Sequence, residues 1–294
     1  MISIRRVATN GIELNVAVHG NGPAVLLLHG FPHTWRVWSA VLPDLARRHR
    51  VIAPDLRGLG ASTRAERGYD AATLAADIEG LLDALGEESA VVVGLDAGAP
   101  PAFLLAMRRP RRVRRLVLME AVLGDLPGAE HFVAGGPPWW FGFHAVTGLA
   151  ETVLLGHEAE YLGWFLTTGT LGRGVPTAIR EHFVEAYTGG EALRCAFEHY
   201  RAMPATASQI RGAAASARLT VPTMAIGAHP VGDALERQLR PLMADPDDLT
   251  GHLLDDCGHI IPLDSPERLA ALLGPFVTAG ETDRCGPLPG VGAM

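Results

Sequence analysis

Val91-Val92-Val93-Gly94-Leu95-Asp96-Ala97-Gly98 reads as an apolar strand, a sharp turn and the start of a helix. β-Branched valines favour the strand. Gly94 and Gly98 let strand and helix approach closely, and the residue between them is forced into a strained bend that projects its side chain. Asp tolerates such backbone angles better than most residues. The spacing is that of G-x-nucleophile-x-G, with a carboxylate at its centre. Pro100 and Pro101 follow at little cost, because N–H groups in a first helical turn have no helical partner anyway. An aspartate that merely caps a helix would give the same short pattern, so the reading turns on what surrounds it.

Outward from this bend, short apolar runs alternate with helical patterns, which predicts an α/β fold with a mostly parallel sheet. Ile12–Val18 reads as an early strand behind an Asn10-Gly11 turn; Ala24–Leu28, Arg50–Ala53, Ala90–Val93, Arg115–Met119, Pro222–Ile226 and His252–Leu254 continue the series. Helical segments are expected at Trp35–Arg47, Ala71–Leu85, Ala99–Met107 and Pro266–Leu273, the last with Ser265 as N-cap and Gly274 just past its end. From Val122 to Ala217 there are aromatic residues and helix formers but no strong strand. We read residues 1–121 and 218–278 as a core domain, 122–217 as a helical lid inserted between two strands, and 279–294, rich in Gly and Pro, as a disordered tail.

Two further segments complete a chemical constellation. Leu27-Leu28-His29-Gly30-Phe31-Pro32 ends a strand in a bend, so the Phe31 and Ala97 N–H groups would converge on a developing oxyanion; one such donor is worth roughly 3 kcal/mol of barrier. The sequence permits a cis Phe31-Pro32 bond. Near the C-terminal strand, Asp256-Cys257-Gly258-His259-Ile260-Ile261-Pro262 puts His259 on a loop where a general base belongs. Two acids could orient it. Glu120 directly follows a strand and is favoured, since a carboxylate there is hard to justify as packing; Asp233 is the alternative.

Composition excludes several classes. The net charge of −7 gives no reason to expect a nucleic-acid partner, and all 25 basic residues are Arg. The densest basic stretch, Arg108 to Arg115, reads as a helix C-terminus leading into a strand. Cys195, Cys257 and Cys285 form no CxxC pair, and the 12 histidines form no HExxH cluster, so neither metal nor cofactor is expected. No apolar run reaches the roughly 18 residues of a membrane span, and the start lacks an apolar signal core. The expectation is a cytoplasmic protein without a membrane partner.

With these pieces in place, the sequence resembles the epoxide hydrolase and dehalogenase branch of the α/β-hydrolases over nearly its whole length. HGFPHTW (29–35), DLRGLGAS (55–62), GLDAG (94–98) and CGHIIP (257–262) match family motifs. LMEAVL (118–123), LAETVLLG (149–156) and FEHYRAM (197–203) are most similar to the bacterial inhibitory-factor-type epoxide hydrolases. The resemblance implies Glu120 as the acid and Tyr200 as the donor that polarises the epoxide oxygen. It departs where the subgroup carries a lid histidine: here the stretch is Trp139-Trp140-Phe141-Gly142-Phe143-His144, with Trp140 at that position. An indole N–H still donates one hydrogen bond, His144 is a substitute, and pocket lining is the alternative reading of Trp139 and Trp140.

An anionic carboxylate can displace directly at saturated carbon, provided there is a leaving group such as an epoxide oxygen or a halide. The expected reaction opens a hydrophobic epoxide to a diol through an alkyl ester of Asp96. Dehalogenation is the alternative. Haloalkane dehalogenases usually carry Trp after the nucleophile and often Asn after the HG pair, where this chain has Ala97 and Phe31. Fluoroacetate dehalogenases carry Arg at the first and fourth positions after the nucleophile, here Ala97 and Pro100. A ligand-binding protein without turnover is a third reading, and a homodimer is left open.

Overall fold

The computed structural model of the chain describes residues 1–279. Its strands are β1 (Ser3–Thr9), β2 (Ile12–His19), β3 (Ala24–Leu28), β4 (Arg50–Pro54), β5 (Ala90–Leu95), β6 (Val113–Met119), β7 (Thr223–Gly227) and β8 (Leu249–Leu253), joined in the order β1-β2-β4-β3-β5-β6-β7-β8. Pairings from β4 through β8 are parallel, while β2 runs antiparallel to both β1 and β4. Strands covered on both faces read as continuous apolar runs. In β5, Val92 packs into the core on one face of the sheet while Val91 and Val93 pack into the core on the other. Each such side chain contributes roughly 1.5–3 kcal/mol by leaving water.

The helices are α1 (Leu42–Leu45), α2 (Ala71–Ala84), α3 (Ala99–Arg108), α4 (Trp139–Ala145), α5 (Leu149–Leu154), α6 (Glu158–Thr168), α7 (Thr177–Tyr187), α8 (Gly190–Arg201), α9 (Met203–Ser216), α10 (Ala234–Leu239), α11 (Ile261–Asp264) and α12 (Pro266–Thr278). Helices α4 to α9 all lie between β6 and β7. They share apolar cores with the sheet layer and are also bonded to it: Thr206 and Gln209 of α9 accept hydrogen bonds from the Ala71 and Ala72 N–H groups at 3.0 and 2.9 Å, occupying donors that the first turn of α2 would otherwise leave open. Among the described residues, no helix is long and apolar enough to cross a membrane.

Several expected elements differ. β1 was not anticipated, because Arg5 and Arg6 interrupt its apolar signal and only Val7 and Thr9 are buried; it pairs with β2 through the Asn10-Gly11 turn, both residues at positive φ. Trp35–Arg47 is not one helix but a 3-10 turn at Trp35–Trp38 followed by α1, since Pro43 has no N–H to continue a helical ladder. The last strand is Leu249–Leu253 rather than His252–Leu254; at the sheet edge its burial is too slight to mark its limits. α12 runs past Gly274 and Pro275 to Thr278 because Leu269, Leu273 and Val277 keep one buried stripe, and Ser265 makes no side-chain cap. Arg109 and Arg112 of the basic stretch pair with Glu79 and Asp83. Apart from Ala279, the expected tail and Cys285 lie outside the described residues.

The sheet order reverses direction between β3 and β5, the place where open α/β sheets form a crevice at their carboxyl edge. The two strands lie side by side, with Leu28 opposite Gly94. A Cβ on Gly98 would come within 2.6 Å of the Leu28 carbonyl oxygen, and one on Gly94 within 2.6 Å of the Gly98 carbonyl oxygen. Gly98→Ala is therefore expected to lower stability by about 1–3 kcal/mol, the usual cost of overpacking, measurable as a shifted midpoint in urea denaturation.

Candidate active site

Asp96 is the first residue beyond β5 and sits in the left-handed region at φ +51°. That angle turns its carboxylate back over the end of β3, where Oδ1 accepts a hydrogen bond from the Phe31 N–H at 2.9 Å. The approach leaves no room for a side chain at residue 30: a Cβ on Gly30 would lie 2.0 Å from Asp96 Oδ1. Phe31-Pro32 is cis. Burial works to raise the Asp96 pKa, but its hydrogen bond and charge interaction with His259, together with the Phe31 and Ala97 amides, hold it below the ordinary value. The group is an anion at neutral pH.

His259 stands on the loop between β8 and α11, with Nε2 3.3 Å from Asp96 Oδ2 and Nδ1 3.1 Å from Glu120 Oε2. Burial acts to lower its pKa, yet the hydrogen bonds to Asp96 and Glu120 and their charges push it up to about 10. Glu120 follows β6 directly, at φ +43°. Its side chain is fully enclosed, and the Ala228 N–H donates to its Oε1 at 2.5 Å, so both oxygens are occupied. Asp233 is elsewhere: it pairs with Arg237 at 2.7 Å and stands 3.9 Å from His131. Of the two acids considered, Glu120 is the one brought to His259.

These groups open onto a cavity of about 530 Å³ walled by Leu59, Leu74, Trp139, Trp140, Phe141, Trp164, Phe165 and Tyr200, among others. Tyr200, on α8, packs edge-on against the Phe31 ring at 5.7 Å. Burial, with the Asp96 charge behind it, raises its pKa well above the ordinary value, which keeps the phenol protonated. Trp140 lines the cavity and packs edge-on to Phe165 at 5.4 Å; Trp139 stands at the rim, 55% exposed.

His144, the substitute donor, does not reach the cavity. It lies one turn beyond Trp140 on α4, stacks on Phe197 at 4.2 Å and bonds through Nε2 to the Tyr161 hydroxyl. Burial depresses its pKa to about 3, so it is a neutral packing and hydrogen-bonding residue.

Of the cavity histidines not singled out from the sequence, two fall inside motifs that were. His199 lines the cavity beside Tyr200 and hydrogen-bonds the Arg57 carbonyl oxygen at 3.0 Å through Nε2. His33 lines it from the HGFPHTW segment and is fully buried. Nothing in their local pattern distinguishes them from packing residues; a histidine next to an assigned motif position was the one available signal.

The α/β-hydrolase fold family matches this chain over residues 23–173. A soluble epoxide hydrolase from Corynebacterium sp. strain C12 is 30% identical to it over 285 residues, spanning 90% of this chain and 94% of that protein. Among solved structures, the Cif epoxide hydrolase from Acinetobacter nosocomialis is similar with a TM-score of 0.86 at 25% identity, over 94% of this chain and 89% of that one. Cfl2 from Burkholderia cenocepacia is similar with a TM-score of 0.83 at 30% identity, over 93% and 95% of the two chains.

The His259 environment has a consequence for stability. A histidine whose pKa rises on folding contributes stability that is complete below its unfolded value near 6.5 and is lost as pH climbs toward about 10. The stability difference between the wild type and His259→Gln, followed by thermal or urea unfolding at stepped pH, is expected to shift against the wild type across that window.

Proposed function

The chain belongs to the α/β-hydrolase fold family, in the branch that holds the epoxide hydrolases it is similar to, and from that premise we propose that it opens a hydrophobic epoxide to a vicinal diol through an ester of Asp96. One observation carries this: the side chain presented at the bend is an ionised carboxylate, with two backbone amides on it and a histidine at 3.3 Å. A Ser at that position would need its proton removed before attacking a carbonyl. A carboxylate needs no activation to displace at saturated carbon.

In the proposed first step an Asp96 oxygen bonds to an epoxide carbon and the ring C–O bond breaks. The departing oxygen takes the proton of Tyr200, with the Trp140 indole N–H as a second donor. Help of this kind is typically worth about 10²–10⁴ in rate. Residues 122–217 serve as the lid that supplies these donors and the aromatic wall.

Alkylation also resets the base. Asp96 loses its charge on becoming an ester, so the largest support for the raised His259 pKa disappears while that of Glu120 remains. His259 then releases its proton, which returns through solvent to the Tyr200 oxygen. As a neutral base it takes a proton from water as the water oxygen attacks the Asp96 carboxyl carbon. The Phe31 and Ala97 amides hold the oxyanion. Collapse breaks the bond to the alkyl oxygen, which takes the proton from His259, and the acid left on Asp96 gives its proton back to His259. We infer a cytoplasmic setting, in keeping with the unpaired, buried thiols of Cys195 and Cys257.

His259→Gln incubated with an epoxide that the wild type converts is expected to accumulate one epoxide mass on the Asp96 peptide, and Asp96→Asn to form neither adduct nor diol. In a single turnover of the wild type in H2(18)O, the heavy oxygen is expected in Asp96 and not in the diol. Diol carrying the label, or an unmodified Asp96 peptide, would remove the ester from the scheme. Tyr200→Phe is expected to slow adduct formation by about 10²–10⁴. Halide release from haloalkanes, absent in this reading, would favour dehalogenation.

A further inference from the structure

His33 is a buried polar side chain whose ring nitrogens are without a partner among the described residues. It lies two residues beyond the oxyanion donor Phe31, on a turn closed by its own N–H donating to the Gly30 carbonyl oxygen at 3.0 Å. The Tyr187 hydroxyl of α7 donates to the His33 carbonyl oxygen at 2.6 Å, and the imidazole lies 5.6 Å from the Phe183 ring of the same helix. Helix α7 thus holds the backbone of this turn and packs an aromatic ring beside the imidazole. Its exposure is nil, yet neither Nδ1 nor Nε2 has a hydrogen-bond partner among the described residues.

An imidazole in that condition costs free energy unless a small polar molecule reaches it. His33 is one of the residues lining the cavity that holds Asp96 and His259. Both of those groups are also close enough to act on its charge, Asp96 favouring the imidazolium and His259 opposing it. Burial is the largest influence and brings its pKa down to about 3, so the ring is neutral, with one N–H donor and one bare nitrogen. A buried water needs two to four polar partners to be stable. His33, His259 and Asp96 border the same cavity, and a water held between the two imidazoles and the carboxyl would have that number of partners.

We propose that His33 holds the water that hydrolyses the Asp96 ester. The assignment rests on the covalent reading above. One O–H of that water points to His259 Nε2 and the other to the bare nitrogen of His33, leaving an oxygen lone pair directed at the Asp96 carboxyl carbon. The proton leaving the water goes to His259 and from there to the departing alkoxide, so His33 orients the water without gaining or losing a proton. Its part falls wholly in the second half of the reaction, because attack of Asp96 on the epoxide involves no water.

That division makes the proposal testable in one experiment. His33→Phe, His33→Leu and His33→Gln are mixed with excess epoxide alongside the wild type and His259→Gln, and the Asp96 adduct is followed by mass spectrometry of quenched samples while diol is measured. In His33→Phe and His33→Leu, adduct formation is expected at the wild-type rate and its hydrolysis about 10²-fold slower, the usual cost of a misplaced reactant. His33→Gln, which keeps a donor and an acceptor, is expected to recover most of the loss. Adduct formation is itself the check that each variant is folded. Hydrolysis at the wild-type rate in the apolar variants would overturn the role of His33, as would adduct formation and hydrolysis falling by the same factor. Absence of an adduct in His259→Gln would instead overturn the ester reading, and the two failures are therefore distinct.

Discussion

The site depends on how closely the ends of β3 and β5 are allowed to meet. Gly98 lies against the Leu28 carbonyl, where a Cβ would come within 2.6 Å of the oxygen, and Gly30 leaves the space that the Asp96 carboxylate occupies. With both positions free of side chains, the positive φ of Asp96 carries its carboxylate onto the Phe31 N–H at 2.9 Å. Backbone donors held in this way need no rearrangement when charge develops on the oxygen they face, and that is why such donors are effective in water-poor sites. The same contact fixes the strained turn: a left-handed Asp persists because the strand, the helix start and the amide all hold it.

The second element of the design is an asymmetry between two carboxylates on one imidazole. Glu120 is enclosed, with one oxygen on the Ala228 N–H and the other on His259 Nδ1. Asp96 faces the cavity, with 27% of its side chain open to it. One partner therefore has a constant charge and the other a charge that the proposed chemistry removes. A histidine held by the fixed acid alone is a weaker proton holder than one held by both. The imidazolium suits the resting site and the free imidazole suits the esterified one, with no movement of either residue.

Much of this was legible in the sequence because it depends on short-range backbone rules. The G-x-D-x-G spacing, the HG bend and the Gly-His loop each announce a local conformation, and the core strands β3 to β7 announce themselves as apolar runs. Asp96, His259 and Glu120 followed from those. β1 and β8 were obscured because edge strands bury little, and the single helix read at Trp35–Arg47 ignored what Pro43 does to a hydrogen-bond ladder. His33 and His199 were out of reach for a different reason. Their place on the cavity, and the lack of a ring partner for His33 among the described residues, are settled by tertiary packing. The choice between Trp140 and His144 was of the same kind: one helical turn decides which of them meets the cavity and which is enclosed against Phe197.

The division of labour between sheet and inserted helices bears on what can vary. The three groups that bond the Asp96 carboxylate come from the carboxyl edge of the sheet, and two of them, Phe31 and Ala97, act through backbone atoms. Side-chain identity at those two positions is free of the donor role. The inserted helices line the cavity with Trp140 on α4, Phe165 on α6 and Tyr200 on α8, and α9 is bonded to the first turn of α2 through Thr206 and Gln209. In the proposed reaction, an indole in place of an imidazole alters the number of hydrogen bonds offered to a leaving oxygen, but Asp96, the Phe31 and Ala97 amides and the His259–Glu120 pair stay where they are. On that reading the inserted helices are the part of the molecule in which substrate preference can drift while the proposed chemistry stays the same.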